Sequence, residues 1–243
     1  MQSYQQLRSS MPMVEDTFFR TLISKNQIMG FLVTTDEITN STFTPKKTLG
    51  KFMHVSDQSL KQLSGKSLVF FMGAGFCPFC ASERWAIVKA LNNFGRWVGL
   101  VQTMSADHDE KYLNIPTFSF SRATYTSDHL DFMARETSDR NFEPLQELDE
   151  KDYEILEIFN PDQIIPFLLI DGQFMQVGSG YSPKLLEGMN YAEAKAEIEN
   201  QASPLGRAVK MEADNITALI CKTISMKSNI CNSQDIRRLT EAV

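Results

Sequence analysis

Residues 67–95 read SLVFFMGAGFCPFCASERWAIVKALNNFG, and this stretch decides the fold. It opens with the apolar run Ser67–Met72, which predicts a buried strand. Its last part carries apolar residues at Ile87, Leu91 and Phe94, a spacing typical of a helix, and ends at a glycine. A glycine-bearing turn and two cysteines lie between these parts. The predicted order is therefore strand, turn, cysteine pair and helix.

The cysteine pair forms the C-x-x-C motif Cys77-Pro78-Phe79-Cys80 at the start of the predicted helix. A pair in this position is typical of thioredoxin-like redox proteins. The attacking species in disulfide exchange is the thiolate, which the unpaired N–H groups and partial positive charge of a helix N-terminus favour. We expect Cys77 to be exposed and to attack, and Cys80, one turn further in, to resolve the mixed disulfide. Pro78 suits the first helical position because its missing N–H would be unpaired there.

Half of a zinc site is the alternative interpretation of this pair. A zinc site needs a second ligand pair at short spacing, but the remaining cysteines, Cys221 and Cys231, are separated by nine residues. The three histidines are scattered and show neither metal nor triad spacing. The sequence therefore favours redox chemistry over a metal site or an inert pair, and it predicts no metal and no cofactor.

A second redox element is predicted at residues 160–174, which read NPDQIIPFLLIDGQF. They indicate an apolar strand opened by Pro166 and closed by an Asp-Gly turn into a second strand. Thioredoxin-like folds carry a cis proline at the head of such a strand, packed against the cysteine pair, and Pro166 fits that role. The alternative is a proline tolerated at the first residue of a strand. In the functional interpretation the unpaired backbone of Ile165 binds an extended substrate segment edge-on. The substrate contacts are assigned to Phe76, Pro78, Phe79 and Ile165.

The acceptor of the Cys80 proton is less well defined. Glu83 follows Cys80 by three residues and is assigned a proton relay to it during resolution. The plainer interpretation is that an acid in the first turns complements the helix dipole. No acidic residue lies within Ser67–Met72, where thioredoxins carry the buried acid that helps to deprotonate their second cysteine. Both interpretations of Glu83 therefore stay open.

The motif and several later segments resemble the signature of a known family. The block GAGFCPFCASERWAIV at residues 73–88 is the most specific part, and further matches lie at Pro116–Phe120, at Ile165–Phe167 and at the two late cysteines. The resemblance is to an uncharacterised, chiefly archaeal domain-of-unknown-function family grouped with the thioredoxin-like folds. It runs from about His54 to Cys231. It implies a thioredoxin-like domain with a redox-capable pair, and it brings no settled activity.

Length and composition agree with one enlarged domain. The chain has 243 residues, and 42% of them are apolar, which is ample material for a core. We expect an α/β, thioredoxin-like fold with a central mixed sheet flanked by helices. Residues 1–55 are interpreted as an N-terminal extension or edge strand, with a strand candidate at Phe31–Thr35. Residues 56–243 form the predicted domain, with an insertion at about 104–160 and a C-terminal helical tail.

Within this domain the pattern predicts further elements. Strands are expected at Trp97–Thr103 and at Thr117–Tyr125. The expected helices are a short one capped by Ser56 or Asp57, an acidic one from Glu143 to Phe159, one at Tyr191–Glu199, and one from Pro204 to Ile224 or beyond.

The late cysteines, Cys221 and Cys231, are expected to pair only if the chain turns back. On one straight helix their Cα atoms would be about 15 Å apart, whereas a disulfide needs roughly 4.4–6.8 Å. The last helix must therefore end near residues 227–229 for the disulfide to form. A structural clasp is favoured over a shuttle that exchanges with Cys77–Cys80.

Charge and hydropathy restrict the partners. A net charge of −6 and a pI near 5.2 argue against nucleic acid. The sequence has no run of about 18 apolar residues, which a membrane span would need, and no apolar signal-peptide core. We therefore expect a soluble, cytoplasmic protein.

The predicted function is thiol–disulfide exchange on protein or small-thiol disulfides. The alternatives are a redox sensor or peroxidase-like protein, and a non-catalytic binding module in which Cys77–Cys80 is a structural disulfide. No oligomeric state is predicted.

Overall fold

The computed structural model describes residues 45–60 and 64–243 of the chain. Within these residues it contains ten strands: β1 Lys46–Lys47, β2 Met53–His54, β3 Ser67–Gly73, β4 Gly95–Val98, β5 Val101–Met104, β6 Pro116–Ser119, β7 Thr124–Ser127, β8 Leu130–Glu136, β9 Phe167–Ile170 and β10 Phe174–Val177. The same residues contain five α-helices: α1 Pro78–Leu91, α2 Glu150–Phe159, α3 Tyr191–Glu199, α4 Pro204–Thr223 and α5 Gln234–Glu241.

A six-stranded mixed sheet forms the centre of the molecule, with strand order β1-β2-β10-β9-β3-β8. β3 and β8 run parallel, and the other neighbouring strands run antiparallel. β1 and β2 lie within residues 1–55 and extend this sheet at its edge. The mixed α/β class with a central mixed sheet is confirmed. The strand candidate at Phe31–Thr35 lies outside the described residues.

β3 is buried on both faces, as its apolar sequence predicts. Val69 and Phe71 face the larger core, which contains α1 and α4. Phe70 and Met72 face a smaller core that α2 covers. This alternation follows from the two-residue period of a strand. Both faces of the sheet are therefore covered by helices, and α1 packs against α4 and β6 in the larger core.

The predicted strand at Trp97–Thr103 is wrong, because the chain breaks at Gly99 into β4 and β5. Gly99 has a φ of +74°, a region that favours glycine. A Cβ at Gly99 would lie 2.9 Å from the Arg122 carbonyl oxygen, so two kinked segments cross here. The predicted Thr117–Tyr125 strand is likewise divided into β6 and β7. Two separate two-stranded ribbons result, β4 with β7 and β5 with β6.

Two predicted helices also differ. α2 begins at Glu150 and not at Glu143, because a capping box starts it there: the Asp149 side chain accepts from the Asp152 N–H, and the Asp152 side chain accepts from the Asp149 N–H. Residues 137–148 instead form a loop. No helix starts at Ser56 or Asp57 within the described residues 55–60.

The C-terminal part matches the sequence closely. α3 has the predicted bounds, and α4 begins at Pro204 after the cap Ser203. Beyond α4 the chain turns back, and the predicted disulfide between Cys221 and Cys231 is present with a Cα–Cα distance of 5.5 Å. Among the described residues, no helix has both the length and the apolar character needed to cross a bilayer.

Candidate functional site

Cys77 is the N-cap of α1, and Pro78 follows at the first helical position, as predicted. The Cys77 Sγ accepts a hydrogen bond from the Cys80 N–H at 3.2 Å. This bond pairs one of the N–H groups that a helix N-terminus leaves free, and it is strongest when the sulfur is a thiolate. Both cysteines are free thiols here, so the structure describes the dithiol form. The disulfide between them stays a prediction.

Cys77 is only 5% exposed, which corrects the expectation of an exposed sulfur. Two loops enclose the turn before α1. The 105–115 loop donates the Ala106 N–H to the Phe76 carbonyl at 3.0 Å. The 137–148 loop accepts the Gly75 N–H at the Ser138 carbonyl, at 2.7 Å. Both loops belong to the predicted insertion, and the motif alone gives no indication that they cover it.

Cys80 is fully buried behind Cys77. Burial raises the pKa of the Cys80 thiol well above its usual value, and the nearby Cys77 sulfur raises the pKa further. The positive charge of Arg84 acts in the opposite direction and favours the Cys80 thiolate. Cys80 is therefore protonated in the dithiol form, and its deprotonation depends on the charges around it.

A buried ion pair lies beside Cys80. The Arg84 Nε is 2.9 Å from the Glu136 Oε1, and both side chains are at most 1% exposed. Arg84 also donates from Nη2 to the Ala74 carbonyl at 2.9 Å, and its guanidinium carbon lies 5.7 Å from the centre of the Phe71 ring. These contacts fix the guanidinium next to the turn that carries the motif.

Glu136 is the residue that sequence reasoning missed. It ends β8, where it pairs in register with Gly73 of β3. Its carboxylate also accepts the Phe120 N–H at 3.1 Å and the Ser119 hydroxyl. A buried acid therefore comes from the parallel neighbour of β3, more than sixty residues further along the chain. No local pattern around the cysteines could have indicated it.

Glu83 is fully buried, but it faces away from the predicted partner. Its Oε1 accepts from the Gln176 Nε2 at 3.1 Å, and its Oε2 accepts from the Gly180 N–H at 2.8 Å. Burial and the nearby Glu212 carboxyl of α4 raise the pKa of Glu83 well above its usual value. No hydrogen bond joins Glu83 to Cys80 in the described part of the chain. The proton relay through Glu83 stays a prediction.

The pairing of β9 with β3 brings Pro166 towards the cysteine pair. The Ile165–Pro166 bond is cis, as predicted. Met72 pairs with Phe167 in the antiparallel register. Continuing this register by one residue places Pro166 opposite Gly73. A Cβ on Gly73 would lie 3.2 Å from the Cys80 Sγ. Glycine at this position therefore lets the Cys80 sulfur approach the strand beside Pro166.

The other predicted contact residues surround this point. Phe76 stacks on Phe142 at a ring distance of 4.5 Å, and Phe79 contacts the edge of Tyr112 at 6.0 Å. Phe79 is 39% exposed, Ile165 is half-buried, and Pro78 is buried. Among the described residues, no hydrogen bond is made by the backbone of Ile165. Its peptide groups are thus available to a bound segment.

Among residues 45–60 and 64–243, no three histidine, cysteine or acidic side chains come together as a metal site would require. The cysteine pair, the Arg84–Glu136 ion pair and Pro166 come from three neighbouring strands and the helix that follows β3. Together they form a small buried centre with one sulfur at a helix N-terminus.

Comparison with known proteins gives one family. No curated protein and no solved structure matches the chain. Residues 51–222 match the model of a family described as a domain of unknown function, DUF929. The match includes the cysteine pair, Glu136, Pro166 and Cys221, and it spans more than half of the chain. The chain therefore belongs to the DUF929 family of uncharacterised domains.

Proposed function

We propose that this protein is a thiol–disulfide oxidoreductase built on a thioredoxin-like fold. One observation carries the proposal: the Cys77 sulfur caps α1 and accepts the Cys80 N–H, which is the environment that stabilises a thiolate. Burial keeps the partner, Cys80, in its thiol form. The two sulfurs thus differ in position, because Cys77 caps α1 and Cys80 lies one turn further in and is fully buried.

The thioredoxin-like assignment rests on the order and placement of elements. β3, the motif and α1 follow one another, and a cis proline heads the strand that pairs beside β3. The sheet is mixed and covered by helices on both faces. This combination supports the fold that the motif predicts.

The reaction begins when the Cys77 thiolate attacks one sulfur of a substrate disulfide. The substrate S–S bond breaks, a mixed disulfide forms on Cys77, and the first substrate sulfur leaves as a thiolate. Cys80 then loses its proton and attacks the Cys77 Sγ, so that the mixed disulfide breaks and the second substrate sulfur leaves. The proton from Cys80 neutralises a leaving thiolate. Two electrons pass from the cysteine pair to the substrate, and the reverse sequence oxidises a dithiol.

A second candidate is a binding module in which the pair only forms a structural disulfide. The 5% exposure of Cys77 favours it, since a covered sulfur is slow to exchange. The two candidates differ in reduction potential: exchange pairs lie at about −270 to −120 mV, and structural disulfides below about −300 mV.

A glutathione redox titration with alkylation and mass mapping of all four cysteines tests the proposal. We expect Cys77 and Cys80 to titrate reversibly within the range of exchange pairs. Cys77→Ser should abolish dithiol–disulfide turnover, and Cys80→Ser should accumulate the mixed disulfide on Cys77. A pair that stays oxidised far below that range, or turnover retained in Cys77→Ser, contradicts the proposal.

A further inference from the structure

Exposed apolar side chains are concentrated near the cysteine motif. Ten large apolar side chains are exposed in the described part of the chain, and half of them belong to segments that meet at the N-terminus of α1. These five, called the apolar ring below, are Phe79, Leu113, Phe142, Leu145 and Ile164. The other five are distributed over separate elements. Such a concentration on a folded domain marks a site of interaction.

Hydrogen bonds hold the two loops against the turn before the motif, and strand register places Ile164 nearby. The 105–115 loop, which carries Leu113, is bonded to the Phe76 carbonyl. The 137–148 loop, which carries Phe142 and Leu145, is bonded to Gly75 and, through the Thr137 N–H, to the Gly73 carbonyl. Ile164 directly precedes the segment that lies opposite Gly73. The ring is therefore part of the motif's own surroundings.

Aromatic contacts give the ring a preformed shape. Phe142 stacks on Phe76, and Phe79 lies against Tyr112, so each loop is fixed to the motif by an aromatic pair. The exposed fractions of Phe79 and Phe142 are 39% and 37%, which leaves ring surface available to a partner. A preformed apolar surface binds with little loss of its own conformational entropy.

The two loops are acidic. Residues 107–111 and 139–147 carry six carboxylates against Lys111, Arg140 and His108, whose pKa its hydrogen bond to Asp107 raises. Arg140 is already engaged by Asp107 at 3.7 Å and by the Asn114 side chain at 3.0 Å. The field at the ring is therefore negative, which repels anionic partners and attracts neutral or basic ones.

We propose that the apolar ring binds an extended polypeptide segment that has apolar side chains beside its cysteine and a neutral or basic charge, in preference to small anionic disulfides. The unpaired backbone of Ile165 offers main-chain hydrogen bonds to such a segment, and the ring offers surface to its side chains. This substrate class rests on the proposed function. Glutathione disulfide, which is anionic and has no apolar side chain, would be a poor substrate.

The first test measures binding without redox chemistry. The probes are two fluorescein-labelled dodecapeptides with serine in place of cysteine, one rich in leucine and lysine and one in which the lysines are replaced by glutamate. Fluorescence anisotropy should show at least tenfold tighter binding of the basic peptide. Equal affinity for the two peptides, or no binding of either, overturns the proposal.

Matched variants locate the binding surface. Leu113→Asp and Leu145→Asp should each weaken binding of the basic peptide by about tenfold or more, the equivalent of 1.4 kcal/mol. Val98→Asp and Met211→Asp place the same charge at apolar positions that are 69% and 60% exposed but lie outside the ring, and they should bind as the wild type does. Ring variants that bind like the controls overturn the proposal.

The second test separates the substrate class from the function itself. Values of kcat/KM are compared for a basic peptide with a disulfide and for glutathione disulfide, in the wild type and in Leu113→Asp. We expect the peptide to be preferred and the preference to fall in the variant. If glutathione disulfide is the better substrate and the variant changes nothing, the substrate class is wrong while the oxidoreductase stands. If the serine peptide binds at the ring but no disulfide is exchanged, the oxidoreductase is wrong while the binding surface stands.

Discussion

Arg84 is the largest fully buried side chain of the described residues, and the exchange reaction that we propose would give it a role in resolution. The second step of exchange requires Cys80 to become a thiolate in a site where burial opposes any charge. The guanidinium favours the thiolate, while Glu136 keeps the cation paired and in place. In the proposed exchange, the ion pair holds a positive charge in place near Cys80, and the two sulfurs carry out the chemistry.

Neutralising this ion pair should slow resolution. The double variant Arg84→Met with Glu136→Gln removes both charges, since removal of Arg84 alone would leave a buried carboxylate unpaired at a cost of about 3–5 kcal/mol. We expect the release of the second thiol from the mixed disulfide to slow by about tenfold near neutral pH, the equivalent of one pKa unit. The pH dependence of that release should move to higher pH. Rapid-quench measurements from pH 6 to 9 would show both effects.

The adjacent residue of β8 supplies a matched control. Arg135 lies on the opposite face of the sheet, where it pairs with Asp152 of α2. The double variant Arg135→Met with Asp152→Asn removes a less deeply buried ion pair that involves the same strand, away from Cys80. Its resolution rate and pH profile should match those of the wild type. If both double variants behave alike, the role assigned to Arg84 and Glu136 is wrong.

At the scale of elements, the 137–148 loop lies against the turn that precedes Cys77. A Cβ on Gly75 would lie 2.8 Å from the backbone of Asp139 and Arg140, so only glycine allows the loop to approach the turn this closely. Gly75→Ala should displace the loop, destabilise the protein by about 1–3 kcal/mol, and raise the alkylation rate of Cys77 several-fold. Iodoacetamide labelling with mass mapping measures the rate.

Gly99→Ala is the control for this loop, because its Cβ would also approach a backbone oxygen, at 2.9 Å from Arg122. It should destabilise the protein but leave the alkylation of Cys77 unchanged. An equal rise in both variants would mean that loss of stability, and not the loop, exposes the sulfur.

The disulfide after α4 is expected to act as a clasp. Cys221 and Cys231 are both fully buried, and they tie the 3₁₀ turn at Asn229–Asn232 to the end of α4. Replacing both cysteines by alanine should lower the free energy of unfolding by about 2–3 kcal/mol, as a short closed loop implies. Urea unfolding measures this change. Turnover by Cys77–Cys80 should persist, and its loss in a folded double variant would indicate a shuttle.

For the whole molecule, the sequence predicts features that are set locally and misses those set by the sheet. β3, the N-terminus of α1, the Asp171–Gly172 turn and the bounds of α3 follow from apolar runs, caps and turn residues close together in the chain. The partnership of Glu136 with Arg84 depends on β8 lying parallel to β3, which no local pattern encodes. The break at Gly99 likewise depends on a crossing with Arg122, a distant residue.

The low amphipathicity of α1 also depends on tertiary packing, which no local pattern encodes. Its predicted apolar stripe faces one side, yet nearly the whole helix is buried, including Glu83 and Arg84. Burial on all sides follows from its contacts with α4, β6 and the larger core, and the two charged residues then need partners inside the protein. Arg84 pairs with Glu136. Glu83 lies beside a second acid, Glu212, and these two carboxyl groups make the stability of the fold depend on pH.

The pair Glu83–Glu212 joins α1 to α4 and to the loop after β10. Gly180 lies between them: its N–H donates to Glu83, and a Cβ there would overlap the Glu212 carboxyl. Burial raises the pKa of both acids, and the two repel each other when both are charged. Lys51 lies near enough to offset part of this effect at Glu212. The native protein therefore holds a proton that the unfolded chain releases above pH 4.5, the ordinary pKa of a glutamate.

A native state that binds more protons than the unfolded state loses stability as the pH rises. The contribution of the pair to the free energy of unfolding should be fully present below pH 4.5. It should decline as the pH rises towards the raised pKa values of the folded protein, by up to about 1.4 kcal/mol per pH unit for one proton.

Glu83→Gln mimics the protonated acid and cannot ionise, so the free energy of unfolding of this variant should decline less between pH 5 and pH 8. Glu199→Gln changes a glutamate whose side chain is 67% exposed and should keep the wild-type slope. Urea unfolding of the three proteins across this range isolates the pair, because His54, whose pKa burial lowers, titrates alike in all of them. Parallel slopes for the wild type and Glu83→Gln would mean that the two carboxyl groups share no proton at neutral pH.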